Sequence, residues 1–484
     1  MRISRIAVSA ATLAVAILLA GCASCAGLGD EAPSPISLDE AANKSVMTDD
    51  ELHDLARQPF DEQRRRFDVV LASHPEDLAA RFLRTQADFK LEDDQAMIAD
   101  SALVLAHASL NPRWRRVALV WRAEALVHAG RAAEAVPVAN EAVGIDSSDA
   151  KALFARGWAR YKSDPAQPES ALADLDAALH LEPEEGVGYY RRACILKSQG
   201  RFERAVDDFE RAVRLAPDDA PSHLEFGVTL LQIKDIDRAR QQFDATARLM
   251  PHDPTVWIWR GQADLAARNF DEVMADANRS IELGATEEDL AGAHTLLALA
   301  LQDKMDFAGA AREYQRSLAI MANESLTGNL ARMLWFSGQF EQAIDPLRER
   351  AASPHASPYV PLWLFIVRGR ANPADESAAK GELAALAPPR QPHEWKDTLV
   401  DLMLGKSTLE VALAEADAAP TYQLKAGQRC EADYYAAEQL LVHGHDERAS
   451  RLLEEAYWVC PSTYIEADAV IAERRLLAAR LPAR

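Results

Sequence analysis

The sequence predicts an all-α protein: a solenoid of αα-hairpins closed by a C-terminal capping helix. Three observations carry that expectation. Small residues and prolines return at one interval, Pro183, Pro217 and Pro251 being 34 apart, as are Ala171, Ala205 and Ala239. Phe209 and Phe243 repeat the spacing, and so do Gly227 and Gly261. The long segments between them are rich in Ala, Leu, Glu and Arg, which favour helices, and no β-type alternation stands out. Only 21 Gly and 24 Pro occur in 484 residues, few enough to sit at helix ends. A fixed period of roughly 20–50 residues marks a stacked array rather than a set of compact domains.

Each element follows from that period. A proline ends a helix because it cannot continue one. Each recurring alanine sits where two helices of a hairpin approach too closely for a larger side chain. The pattern resembles the tetratricopeptide repeat, which has a small residue in its first helix, alanines in its second and a proline after it. The fullest copy runs from Gly186 to Pro217 with Ala193, Gly200, Phe202, Ala205, Phe209 and Ala212. The next carries Gly227, Ala239, Phe243 and Pro251, and another begins with Trp257, Gly261 and Phe270. Upstream, Gly157, Ala171, Ala178 and Pro183 fit once a two-residue insertion near Pro165 and Pro168 is allowed. Ala123, Gly130, Ala135 and Ala142 form a weaker copy. Downstream, Phe307, Ala310 and Tyr314 fit one unit, and Gly338, Phe340 and Ala343 another. The array is expected over residues 51–353. The resemblance implies a curved superhelix whose first helices line a concave groove suited to an extended peptide or a partner helix.

The N-terminus sets an expected compartment. Arg2 and Arg5 precede an apolar run from Ile6 to Leu19, too short for a permanent span and typical of a secretory signal. Leu19-Ala20-Gly21-Cys22 resembles a lipobox, the site at which bacterial lipoproteins are lipidated on cysteine and cut before it. The resemblance implies a signal peptide over 1–21, a mature chain lipidated at Cys22, and a flexible tether over 22–50. Acyl chains hold a protein at a membrane without a transmembrane helix. Ala23, where an aspartate would signal inner-membrane retention in such lipoproteins, points to the periplasmic face of the outer membrane.

After Arg350 the pattern loosens. Pro354, Pro358 and Pro361, then Pro388, Pro389 and Pro392, bracket a degenerate helical repeat over 354–394. A C-terminal helical region over 395–484 follows, with a last repeat from Cys430 to Pro461 and a final helix from Tyr464 to Leu481 that can cap the stack. Trp395, Leu404-Gly405-Lys406, Cys430-Glu431-Ala432-Asp433-Tyr434-Tyr435 and Tyr464-Ile465-Glu466-Ala467 occur here in an order that resembles the end of the NlpI-type tetratricopeptide lipoproteins. That resemblance implies an adaptor for cell-wall hydrolases or a periplasmic protease. Ala436-Ala437-Glu438 departs from the family's pattern, and the chain is longer, so architecture carries over better than partner identity. In the repeat register Cys430 opens a first helix and Cys460 closes the second. Antiparallel helices bring those ends together, and an oxidising compartment would allow a disulfide.

The net charge of −22 argues against nucleic acid as a partner and permits basic ones. No phosphate loop, His-Glu-x-x-His or Gly-x-Ser-x-Gly is present, and His443-Gly444-His445 reads as a solvated hairpin turn. No catalytic residue, metal site or cofactor is expected. Inward positions of the repeats nominate Phe154, Trp158, Tyr161, Lys162, Tyr190, Arg191, Lys197, Trp259, Arg332 and Trp335 as peptide-groove residues, since aromatic anchors and arginine dominate binding hot spots. The expected function is a non-catalytic, protein-binding envelope scaffold, lipid-anchored to the membrane. A lipoprotein assembling a secretion, pilus or outer-membrane export machine is the alternative. An enzyme with a repeat appendage would need a catalytic segment that the repeats leave no room for.

Overall fold

A computed structural model describes residues 45–107, 110–353, 357–388 and 392–480. Cys22, Cys25, the signal segment and most of the tether lie outside them. The described residues form 25 helices and no strand. They fall into two compact units, one ending at Pro251 and one starting at His252.

The N-terminal unit opens earlier than expected of a tether reaching residue 50. Ser45 Oγ and the Val46 N–H both donate to Asp77 Oδ2 at 2.8 Å. Thr48 then caps α1 (Asp49–Leu55) through a capping box with Glu51. Helices α2 (Phe60–Ser73), α3 (Leu78–Lys90) and α4 (Asp94–Leu105) lead into a regular alternation of first and second hairpin helices. These are α5 (Pro112–His128) and α6 (Ala132–Ile145), α7 (Ala150–Ser163) and α8 (Glu169–Leu181), α9 (Gly186–Ser198) and α10 (Phe202–Leu215), and α11 (Ala220–Gln232) and α12 (Ile236–Leu249). Pro183, Pro217 and Pro251 fall two residues past the ends of α8, α10 and α12. Asp149, Asp219 and Asp235 cap α7, α11 and α12 by accepting from a backbone N–H of the first turn. Ala171, Ala205 and Ala239 are fully buried at the helix crossings. A Cβ on Gly227 would come within 2.6 Å of the Phe243 ring, so the small residue there is a packing requirement.

Within several hairpins an arginine of the first helix clasps an aspartate of the second. Arg84 pairs with Asp100, Arg156 with Asp174 and Arg192 with Asp208, each through two hydrogen bonds of 2.6–2.9 Å. The sequence separation is 16 for the first and third pairs and 18 for the second, which spans the two-residue insertion.

The C-terminal unit contains α13 (Pro254–Ala267), α14 (Phe270–Glu282), α15 (Glu287–Asp303), α16 (Phe307–Ile320), α17 (Glu324–Phe336) and α18 (Phe340–Ala352). After the proline-rich break come α19 (Val360–Ala371), whose apolar stretch is buried, and α20 (Glu376–Leu386). Then follow α21 (Trp395–Leu404), α22 (Leu409–Asp417), α23 (Tyr422–Val442), α24 (Asp446–Val459) and α25 (Ile465–Ala478). Cys430 and Cys460 are joined by a disulfide, their Cα atoms 4.9 Å apart, which ties α23 to the end of α24. α25 covers the last hairpin and also turns back along the unit. It packs on α17 as well as on α23 and α24. Arg475 Nη1 donates to the Met305 carbonyl at 3.4 Å, 170 residues earlier in the chain.

The turn inside a hairpin needs one residue in the left-handed region. Gly200 supplies it at φ 72° without strain, whereas Lys234, Arg268 and Met305 adopt φ of 62–63° with a full side chain.

Candidate binding face

The first helices of the N-terminal unit place most groove candidates together, but inside the packing rather than on an open surface. Trp158 and Tyr190 are each 1% exposed, and Phe154, Tyr161 and Arg191 are also buried. The Trp158 and Tyr161 rings lie 5.6 Å apart on α7, and Tyr190 meets Phe209 of α10 edge-on at 6.2 Å. Their sequence positions face inward, yet the first helices pack closely enough to fill that side with their own rings.

One ion pair explains the closure. Arg191 Nη1 and Nη2 donate to Glu124 Oε1 and Oε2 at 2.8 and 2.6 Å, joining α9 to α5. The Arg191 guanidinium stands 5.6 Å from the Trp158 ring centre, and Lys162 Nζ stands 5.2 Å from it. The indole of the intervening helix is therefore held beneath two cations, and the bridge crosses over α7. Burial alone would raise the Glu124 carboxyl. The charge and hydrogen bonds of Arg191, with His128 and Lys151 beyond, hold it below the ordinary carboxylate range. A pair this buried is costly to break, because the surviving charge would be stranded.

What remains accessible is a charged rim. Lys162 is half-buried, and Lys197 is half-buried and paired with Glu225 of α11. Lys151 bridges to Glu185 and, at 3.4 Å, to Glu182. A peptide laid on this face would meet alternating lysines and glutamates before any aromatic ring.

The other three candidates belong to the C-terminal unit and do not join this group. Trp259 is half-buried on α13. Arg332 is half-buried on α17 and donates to Asn329. Trp335 is buried in that unit's core between Phe336, Trp363 and Tyr434. His443 uses Nδ1 against the Gln439 carbonyl at 2.7 Å, within its own turn. Among the described residues, no group of three His, Cys, Asp or Glu side chains is placed to hold a metal ion. Nor is any described helix long and apolar enough to cross a membrane.

Glu124 was not legible as the partner of Arg191. The two residues are 67 apart and belong to repeats that are not neighbours, so no spacing rule links them. The Arg–Asp clasps could have been found, since their separation tracks the repeat and its insertion.

Two family models of the tetratricopeptide repeat match the chain, one over residues 187–219 and one over 115–150. The chain carries tetratricopeptide repeats. The matched segments hold α9 with α10 and α5 with α6, so they include both ends of the buried ion pair. Among solved structures, PilF of Pseudomonas aeruginosa is similar at 19% identity and a TM-score of 0.39, covering 43% of this chain and 93% of that one. The C-terminal part of a repeat-containing protein from Cytophaga hutchinsonii is similar at 17% identity and a TM-score of 0.39, covering 51% and 99%. YrrB, described as a tetratricopeptide protein with an unusual peptide-binding site, is similar at 21% identity and a TM-score of 0.31, covering 39% and 92%. No curated protein matches the chain. Tetratricopeptide domains bind other proteins or peptides, and such a scaffold is the coarse function this fold carries.

Proposed function

We propose that the chain is a non-catalytic scaffold of the bacterial cell envelope, anchored through a lipidated Cys22 at the periplasmic face of the outer membrane. There it gathers other proteins on its repeats, with cell-wall hydrolases or a periplasmic protease as the partners implied by the resemblance of its C-terminal sequence to the NlpI-type lipoproteins. The observation that carries the reading is the stacking of αα-hairpins within each unit. Repeats of this kind present long faces and no enclosed reaction chamber. Two further features support it. The residues before Cys22 resemble a lipobox, and the Cys430–Cys460 bond suits an oxidising compartment. The half-buried lysines Lys151, Lys162 and Lys197 are where a partner would first touch the N-terminal unit.

Crosslinking in intact envelopes, followed by capture and mass spectrometry, tests the reading. Recovery of hydrolases or a protease is the expected result. Recovery of secretion or pilus subunits instead would replace it with the assembly role. A Cys22→Ser chain should lose its lipid and its membrane fractionation. If it is processed and fractionates as before, the anchor is elsewhere.

A further inference from the structure

The first-helix side of the C-terminal unit already holds a helix, α25. It is reached through the short run 460–464 that follows the disulfide. Its buried side offers modest apolar residues, among them Ala469, Val470, Ala472 and Leu477, together with two carboxylates, Glu466 and Glu473.

Each of those carboxylates meets another. Glu466 accepts from the Tyr435 hydroxyl at 3.2 Å, and Tyr435 in turn accepts from Trp363 Nε1 at 3.1 Å. Beside it lies Glu431 of α23, which accepts from Trp395 Nε1 at 2.5 Å. Burial first, then the neighbouring charge of Glu466, push Glu431 up to about 8 against the hydrogen bonds of Trp395 and Tyr359. Further along, Arg370 Nη1 bonds both Glu438, at 2.7 Å, and Glu473, at 3.0 Å. Burial and the charge of Glu438 push Glu473 up to about 8, although Arg370 and, more weakly, Arg480 oppose the shift. Arg370 Nη2 and Glu473 Oε1 are buried without a hydrogen-bond partner. Opposite charges meet α25 elsewhere, where Asp468 faces Arg332 of α17 and Arg474 pairs with Glu454 of α24.

The site under α25 is thus well built, with Trp363, Tyr434 and Tyr435 as an aromatic floor and the buried acids Glu431 and Glu438 within it. The helix that fills it carries Arg474 and Arg475 outside this contact, but its buried side brings like charge. We propose that this face is a binding site for a basic amphipathic helix of a partner protein, and that α25 is an internal stand-in which that helix displaces. Lysine or arginine at the places of Glu466 and Glu473 would face Glu431 and Glu438 as opposite charges. Release of α25 breaks no other hairpin, because the Cys430–Cys460 bond closes the last one independently of it. The net charge of −22 favours encounter with a basic partner. The inference rests on the repeats being protein-binding, but on neither the envelope location nor any named partner.

The test uses the full chain and two synthetic peptides of residues 464–480, one unmodified and one carrying Glu466→Lys and Glu473→Lys. In hydrogen-exchange mass spectrometry of the native chain, α25 is expected to exchange on the order of 100-fold faster than the buried amides of α23, as a separately opening segment does. The lysine peptide should bind at least about 10-fold more tightly than the unmodified one, and its binding should speed exchange in the chain's own α25. Exchange of α25 only together with α23 overturns the proposal. So does failure of the lysine peptide to bind, or equal binding of the two peptides. Failure of the envelope capture would leave these results untouched.

Discussion

In the N-terminal unit several buried carboxylates have their own cation. Glu124 is held by both ends of the Arg191 guanidinium, Asp174 by Arg156 and Arg160, and Asp208 by Arg192. Around α25 in the C-terminal unit the acids outnumber the bases. Glu438 and Glu473 share Arg370, while Glu431 and Glu466 rely on indole and phenol donors. Both regions are built from the same kind of hairpin, so the difference does not come from the repeat. It comes from what lies across the first helices: a long-range ion pair in one unit and a returning helix in the other. Buried charge that is balanced locks a face, and buried charge that is not balanced leaves it dependent on protons or on a better-matched occupant.

The largest expected effect breaks the balanced side. Arg191→Met should cost about 3–5 kcal/mol, because Glu124 is left buried and alone. Urea unfolding followed in the N-terminal unit would measure it. The double variant Glu124→Gln with Arg191→Met should recover much of the loss. A single-variant cost below about 1 kcal/mol would mean that Glu124 is discharged cheaply, and the contrast between the units would fail.

Removing the disulfide probes the other unit. Cys430→Ser with Cys460→Ser should cost about 2–4 kcal/mol, because it frees a loop 30 residues apart in sequence. The loss should appear in the C-terminal unit alone. Equal softening of both units in hydrogen exchange would show that the disulfide is not a local device.

Acidity should move the units in opposite directions. Glu431 and Glu473 titrate near 8 when folded, above their ordinary range, so the folded unit binds more protons than the unfolded one. Their contribution is complete below about 4.5 and is lost as pH rises through about 8, at about 1 kcal/mol or more per group. The depressed Glu124 has the reverse sign: its contribution is present above the ordinary carboxylate range and is lost as pH falls through its lowered value. Asp88 and Asp94 are exceptions in the N-terminal unit, since burial pushes Asp88 up to about 7 despite Arg64 and raises Asp94 despite His128. Exchange rates at pH 5.5 and 8.5, corrected for intrinsic chemistry, should therefore show α25 and α23 losing protection at the higher pH while α5 and α9 keep theirs. Glu473→Gln should shrink the C-terminal response and leave the part that Glu431 carries. If the response is unchanged, Glu473 is not among the groups that titrate.

The hairpins were legible because their signals are local. Proline after the second helix, alanine at the crossing and glycine opposite Phe243 are steric requirements, and each shows as a residue type at a fixed interval. Trp158, Tyr161 and Tyr190 were legible as large aromatic residues on successive first helices. Their burial was not legible. Whether an inward residue lines a groove or fills it depends on how tightly successive first helices approach, and that is decided by contacts such as Glu124–Arg191 between non-adjacent repeats. The return of α25 escaped for the same reason. Its length and composition suit a cap, and only its packing on α17 and the bond from Arg475 to the Met305 carbonyl reveal that it goes further.

The left-handed turns give the array a grain. Where Gly200 and Gly338 make the turn, the backbone is at rest, whereas at Lys234, Arg268 and Met305 it carries about 1–2 kcal/mol each of steric cost. Glu92, at φ 56° between α3 and α4, is a fourth such turn. A repeat array fails at its weakest link rather than everywhere at once. A protease offered the intact chain should therefore make its first cuts at the turns of Glu92, Lys234, Arg268 and Met305, ahead of those of Gly200 and Gly338.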